Sequence, residues 1–124
     1  MKILFLGTGA AALADTPNSE VSPDQRRCAS LLLDGRVVVD VALQSFDYAT
    51  ELSVDTSAVT DVFISHLHVD HYSKVALMQY AEASLQRINF WCHESAVGKL
   101  KMTEEELGRI NLCPVKSMEV FGTD

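Results

Sequence analysis

The sequence predicts an α/β fold built on a mixed sheet, and three observations carry that expectation. Strand-like runs over Asp61 to Ser65 and Ile88 to Cys92 are separated by a helical pattern over Tyr72 to Arg87, an order that implies a right-handed crossover between parallel strands. Asp34-Gly35, set between the apolar runs Arg27 to Leu33 and Arg36 to Val41, signals a hairpin, because a type I′ turn needs positive φ at both central residues. The chain opens on Ile3 to Leu6, a short apolar strand ended by Gly7-Thr8-Gly9.

The remaining elements follow in order. Asp15 to Gln25, with Pro17 and Pro23, reads as a polar loop. Ala42 to Leu52 predicts a helix with Leu43 and Phe46 inward, and Asp55 to Thr60 leads into the central strand. In Tyr72 to Arg87, Val75, Met78, Ala81 and Leu85 recur at helical spacing and predict a core stripe rather than a binding surface. Thr103 and Glu106 make a T-x-x-E capping box for a short helix that Gly108 ends. Asn111 to Val120 reads as a last extended segment, interrupted by Pro114.

Composition narrows the functional classes. A chain of 124 residues, 48% of them hydrophobic, buries the core of one domain, and no run approaches the 18 apolar residues of a membrane span. A net charge of −7 argues against nucleic acid as a partner, since a phosphate backbone calls for a basic stripe and the local concentration is Arg26-Arg27 alone. Cys28, Cys92 and Cys113 are odd in number and scattered, which points to reduced thiols and a cytoplasmic location. The start, Lys2 followed by Ile3 to Leu6 and small residues to Ala14, superficially resembles a secretory leader; the glycines break it early, and a retained first strand is expected.

The strongest functional signal is His66-Leu67-His68-Val69-Asp70-His71, which follows the apolar Val62-Phe63-Ile64 and holds three of the four histidines. Imidazole nitrogen and carboxylate oxygen are the donors that hold zinc, manganese or iron. In an extended chain His66 and His68, two apart, point to the same side, and the turn into the next helix swings Asp70 and His71 toward the same spot. Four such polar groups in one turn are costly to leave unbound. They suit a pair of ions about 3.5–4 Å apart, each with a place for water.

At these residues the chain resembles the metallo-β-lactamase-fold hydrolases, whose H-x-H-x-D-H signature is matched at every defined position. Met1 to Gly9 is similar to the first strand and glycine turn of the ribonuclease Z-like and phosphodiesterase-like branch, and Arg27 to Asp40 to its next hairpin. The resemblance implies an αβ/βα sandwich of two pseudo-symmetric halves, of which this chain covers the first. It implies a dinuclear zinc site, with manganese or iron as alternatives. His66 and His68 would hold one ion and Asp70 and His71 the other, and Asp70 would also act catalytically, orienting water or passing a proton to the leaving group. Asp40 is similar to the family's aspartate that supports the metal loop; a purely structural aspartate is the alternative.

The implied activity is metal-assisted hydrolysis of a small-molecule or nucleotide-like substrate, first a phosphodiester, alternatively a thioester or lactone. In the family a third histidine, a bridging aspartate and a last histidine come later, and His93 does not match the third-ligand position. A second expectation is therefore a metal-binding half-domain that needs a partner or a C-terminal continuation, or that self-associates through the uncovered sheet face.

Two competing motifs are weaker. Gly7-Thr8-Gly9-Ala10-Ala11-Ala12 reads as a G-x-G-x-x-A dinucleotide fingerprint, yet Pro17 to Ser19 interrupt the long helix it needs, leaving a tight turn that passes close to the metal loop. Cys92-His93 reads as a metal pair, but a strand-end cysteine is more often a small apolar residue.

Overall fold

The structure, a computed structural model, describes residues 1–9, 16–20 and 26–117. Parts of the polar loop, the second half of the Gly7–Ala12 motif and the end of the last extended segment lie outside these residues. Six strands form one mixed sheet in chain order: β1 (Ile3–Gly7), β2 (Ser30–Leu33), β3 (Val37–Val39), β4 (Asp61–Phe63), β5 (Ile88–His93) and β6 (Ile110–Val115). The first three pair antiparallel, and β3 to β6 are parallel. Helices α1 (Ser45–Glu51), α2 (Lys74–Ala83) and α3 (Glu104–Leu107) complete the described elements together with three 3-10 segments.

The hairpin between β2 and β3 turns where the sequence places it. Asp34 and Gly35 have φ of 50° and 71°, and the Arg36 N–H donates to the Leu33 carbonyl at 3.1 Å. Leu33 faces Val37 rather than Arg36, so the loop is one residue longer than expected. Gly7 and Gly9 run against the backbone of Arg26 to Cys28, not the metal loop: a Cβ on Gly7 would lie 2.1 Å from the Cys28 carbonyl oxygen.

Both longer helices are shorter than the sequence suggests. α1 begins at Ser45, not Ala42, because the Gln44 side chain is buried in hydrogen bonds to the backbone of Cys28 and Thr16. α2 begins after Ser73, whose hydroxyl accepts from the Ala76 N–H, and ends at Ala83 rather than Arg87. Its buried face is Ala76, Leu77, Tyr80 and Ala81. Of the expected stripe only Ala81 is fully buried; Met78 is half-buried, and Val75 and Leu85 are 59% and 88% exposed. Spacing of three or four residues is satisfied by two overlapping stripes here, and the buried one carries Leu77 and Tyr80 into the core. The capping box on α3 is formed, with Glu106 N–H on the Thr103 hydroxyl at 3.1 Å and Thr103 N–H on the Glu106 carboxylate at 2.9 Å.

Strand register sorts the sheet into two faces. Leu32, Val38, Val62 and Phe90 lie side by side across β2 to β5 and pack with Ala49 of α1 and the buried face of α2 in the core. One residue along, where side chains point to the other face, Phe5, Leu31, Val39, Phe63, Trp91 and Cys113 form a row across all six strands. Phe63 and Trp91 stack at 5.2 Å. Phe5 is 61% exposed, and the other five are half-buried, so no described element covers this apolar row. Among the described residues no helix is long and apolar enough to cross a membrane.

Candidate metal-binding site

The site lies at the C-terminal ends of the parallel strands, where α/β sheets bind ligands. β4 ends at Phe63, two residues earlier than the sequence reading; Ile64 still donates its N–H to Trp91 at 3.0 Å, and the chain then leaves the sheet through Ser65. The histidine segment folds back on itself: the His68 carbonyl accepts from the N–H groups of His71 at 2.8 Å and Tyr72 at 2.9 Å. The His71 carbonyl accepts from the Val41 N–H at 2.8 Å, tying the segment to the end of the hairpin.

Asp40 organises the site from beneath. It is buried and takes a φ of 63°, a left-handed conformation that Asp and Asn tolerate better than other non-glycine residues. Its N–H donates to the Phe63 carbonyl at 2.7 Å, and its carbonyl accepts from the Ser30 hydroxyl at 2.7 Å. Its carboxylate accepts from the Ser65 N–H at 2.7 Å, from the Ser65 hydroxyl at 3.0 Å and from His71 Nδ1 at 2.7 Å.

These bonds select tautomers, because an ionised carboxylate can only accept. The His71 proton therefore sits on Nδ1, and the Ser65 hydroxyl gives its proton to Asp40. Ser65 Oγ lies 2.9 Å from His66 Nδ1 and has no proton left to offer, so His66 also carries its proton on Nδ1. In the neutral form each ring then presents Nε2 as a lone pair, the form in which imidazole binds metal. Ser65 went unnoticed in the sequence; its only local signal is its position, the last residue before the cluster, within reach of His66.

The structure brings the four cluster side chains together. The His66 ring lies 4.5 Å from that of His68 and 4.2 Å from that of His71, and Asp70 Oδ2 is 3.2 Å from His71 Nε2. When the His71 ring is neutral this last contact sets a lone pair against a carboxylate oxygen, which a bound cation relieves. The donor chemistry thus fits a divalent metal. The geometry is not closed around one: among the described residues no group of three or more His, Cys, Asp or Glu is arranged to hold an ion.

His93, at the end of β5, stands apart from the cluster. Its Nδ1 accepts from the Ser95 N–H at 3.2 Å and lies 2.8 Å from the Ser95 hydroxyl, and its Nε2 is 3.1 Å from the Ser117 hydroxyl. Cys92 and His93 are consecutive in a strand and point to opposite faces, so they do not form a metal pair. Burial pushes the Cys92 thiol above its ordinary range, away from the thiolate a metal needs.

Several known proteins share this architecture. A diphosphatase of the PhnP family aligns over 97% of this chain and 53% of its own, with a TM-score of 0.67 and 19% identity. The short form of human tRNase Z aligns over 94% of this chain and 44% of its own, with a TM-score of 0.63 and 24% identity. A metallo-β-lactamase-like protein from Thermotoga maritima, itself described as putative, aligns over 97% and 61%, with a TM-score of 0.50 and 19% identity. At these identities the likeness establishes the fold, a metallo-β-lactamase-like arrangement of which the chain spans about half the length of the solved structures it matches. No curated protein matches the chain. A family model does, over residues 1–108, and the chain accordingly belongs to the family described as anti-Pycsar protein Apyc1.

Proposed function

We propose that this chain carries the metal-binding half of a hydrolase that cleaves a phosphodiester in a small, nucleotide-like substrate. The observation that carries the reading is the bond network from Asp40 through Ser65 and His71, which fixes the Nδ1 side of two imidazoles and turns their Nε2 atoms away from it, beside His68 and Asp70. The membership in a family described as anti-Pycsar, and the diphosphatase and tRNase Z among the fold neighbours, favour a phosphorus-centred bond over a thioester or lactone.

In this proposal His66, His68, Asp70 and His71 hold divalent metal, zinc first, manganese or iron as alternatives. The chemistry such an ion supplies when bound is polarisation of the phosphoryl oxygen and acidification of water. Asp40 stays in the protein as a fixed acceptor and keeps the His71 proton on Nδ1. Ser65 relays that constraint to His66. Asp70 orients the attacking water or passes a proton to the leaving oxygen.

The test is hydrolysis of bis(p-nitrophenyl) phosphate and of nucleotide phosphodiesters in the presence of zinc or manganese. Turnover above that of free metal, lost on His66→Ala with His68→Ala, is expected; preferential turnover of a thioester or lactone would overturn the substrate class.

A second reading, a half-domain that needs a partner, a continuation or a second copy, is favoured by the apolar row from Phe5 to Cys113. Light scattering should report self-association that Phe5→Glu weakens. A monodisperse monomer of the wild-type chain would count against it.

A further inference from the structure

Beside the histidine cluster lies a cleft of about 480 Å³ whose polar lining comes from three different strand ends. His66 and His68 follow β4, His93 and Ser95 stand at the end of β5, Lys99 closes the 3-10 segment after it, and Ser117 follows β6. None of the described lining residues carries a carboxylate, although the chain's net charge is −7. Among the described ion pairs none uses Lys99, which is exposed, so no described carboxylate pairs with its ammonium.

The hydrogen bonds of His93 decide what the cleft offers a ligand. Nδ1 accepts from the Ser95 backbone N–H, so the ring proton sits on Nε2 and is donated to the Ser117 oxygen. The Ser117 hydroxyl has then accepted a bond and keeps its own proton for an outside acceptor. A hydroxyl donor and an ammonium, in a cleft whose described lining holds no carboxylate, suit an anionic oxygen.

We propose that Lys99 and Ser117 form a phosphate-binding subsite, with His93 as the positioning residue that aims the Ser117 hydroxyl. The subsite holds a phosphate oxygen of the substrate at the open side of His66 and His68. This rests on the phosphodiester reading for its role in turnover, but not for its ability to bind phosphate. The sequence offers no signal for it, because Lys99 follows β5 and Ser117 follows β6, and the pairing of these strands brings both to the lining of one cleft.

The experiment measures binding of inorganic phosphate, by ³¹P line broadening, to protein stripped of metal with a chelator. Wild type is expected to bind, and Leu85→Ala, at an exposed residue outside the cleft lining, to bind alike. Lys99→Met should weaken binding about tenfold or more, the scale of one hydrogen bond to a charged group, and Lys99→Arg should restore most of it. Ser117→Ala and His93→Phe should each weaken binding, with His93→Phe adding nothing once Ser117 is alanine. Binding by Lys99→Met equal to wild type would overturn the proposal. So would absence of binding to wild type, or its loss in the His66→Ala/His68→Ala variant, which would move the phosphate to the histidine cluster. Phosphate binding that survives while no metal-dependent turnover is found would instead refute the phosphodiesterase reading alone.

Discussion

Replacing Asp40 separates its charge from its backbone conformation. Asn keeps the tolerance for φ of 63° and one oxygen acceptor, so Asp40→Asn loses the charge while Ser65 N–H keeps a partner. The carboxylate is 11% exposed and bonds His71 Nδ1 at 2.7 Å and the Ser65 hydroxyl at 3.0 Å. Losing bonds of this charge-assisted kind costs about 2 kcal/mol. Asp40→Ala loses every acceptor and also places a Cβ-bearing, non-bonding residue in the left-handed region, a further ~1–2 kcal/mol. Urea denaturation should show the midpoint fall by about 1 M for Asn, taking a slope of ~2 kcal/mol/M, and by clearly more for Ala. Zinc affinity should fall roughly 10- to 100-fold for either, the usual scale for losing a partner that orients a ligand. Equal stability of the Asn and Ala variants, or unchanged zinc affinity in both, would refute the account of Asp40 as the support of the site.

Other predictions concern the core and its pH range. Burial pushes the hydroxyls of Tyr72 and Tyr80 up to about 12, so folding favours the protonated phenol; the stability this contributes is complete below pH 10 and is lost as pH rises from 10 through 12. Tyr80→Phe removes the 2.9 Å bond to Ser45, costing about 1 kcal/mol at neutral pH, and should make the alkaline loss shallower in a denaturation series from pH 9 to 12. Leu77→Ala should cost about 3 kcal/mol, whereas Leu85→Ala, at a residue 88% exposed, should stay within about 0.5 kcal/mol; thermal unfolding distinguishes them.

The parts of the fold legible in the sequence are those set by local chemistry. The Asp34-Gly35 turn, the Thr103–Glu106 capping box and the strand-helix-strand crossover depend on residues near each other in the chain. The inward face of α2 was not legible, since Val75 and Leu85 satisfy helical spacing as well as Leu77 and Tyr80 do, and only the position of the sheet chooses between them. The same holds for the site. The cluster from His66 to His71 is contiguous and announces itself. Ser65's bond to Asp40, 25 residues away, and the placing of Lys99 and Ser117 at one cleft follow from strand pairing that no local pattern encodes.

Zinc binding tests the central claim most directly. Titration of the metal-stripped chain against a chromogenic chelator should show zinc bound by wild type and weakened at least a hundredfold by His66→Ala with His68→Ala, with Cys92→Ala unchanged. Full retention of zinc by the double histidine variant would contradict the assignment of this cluster as the metal site.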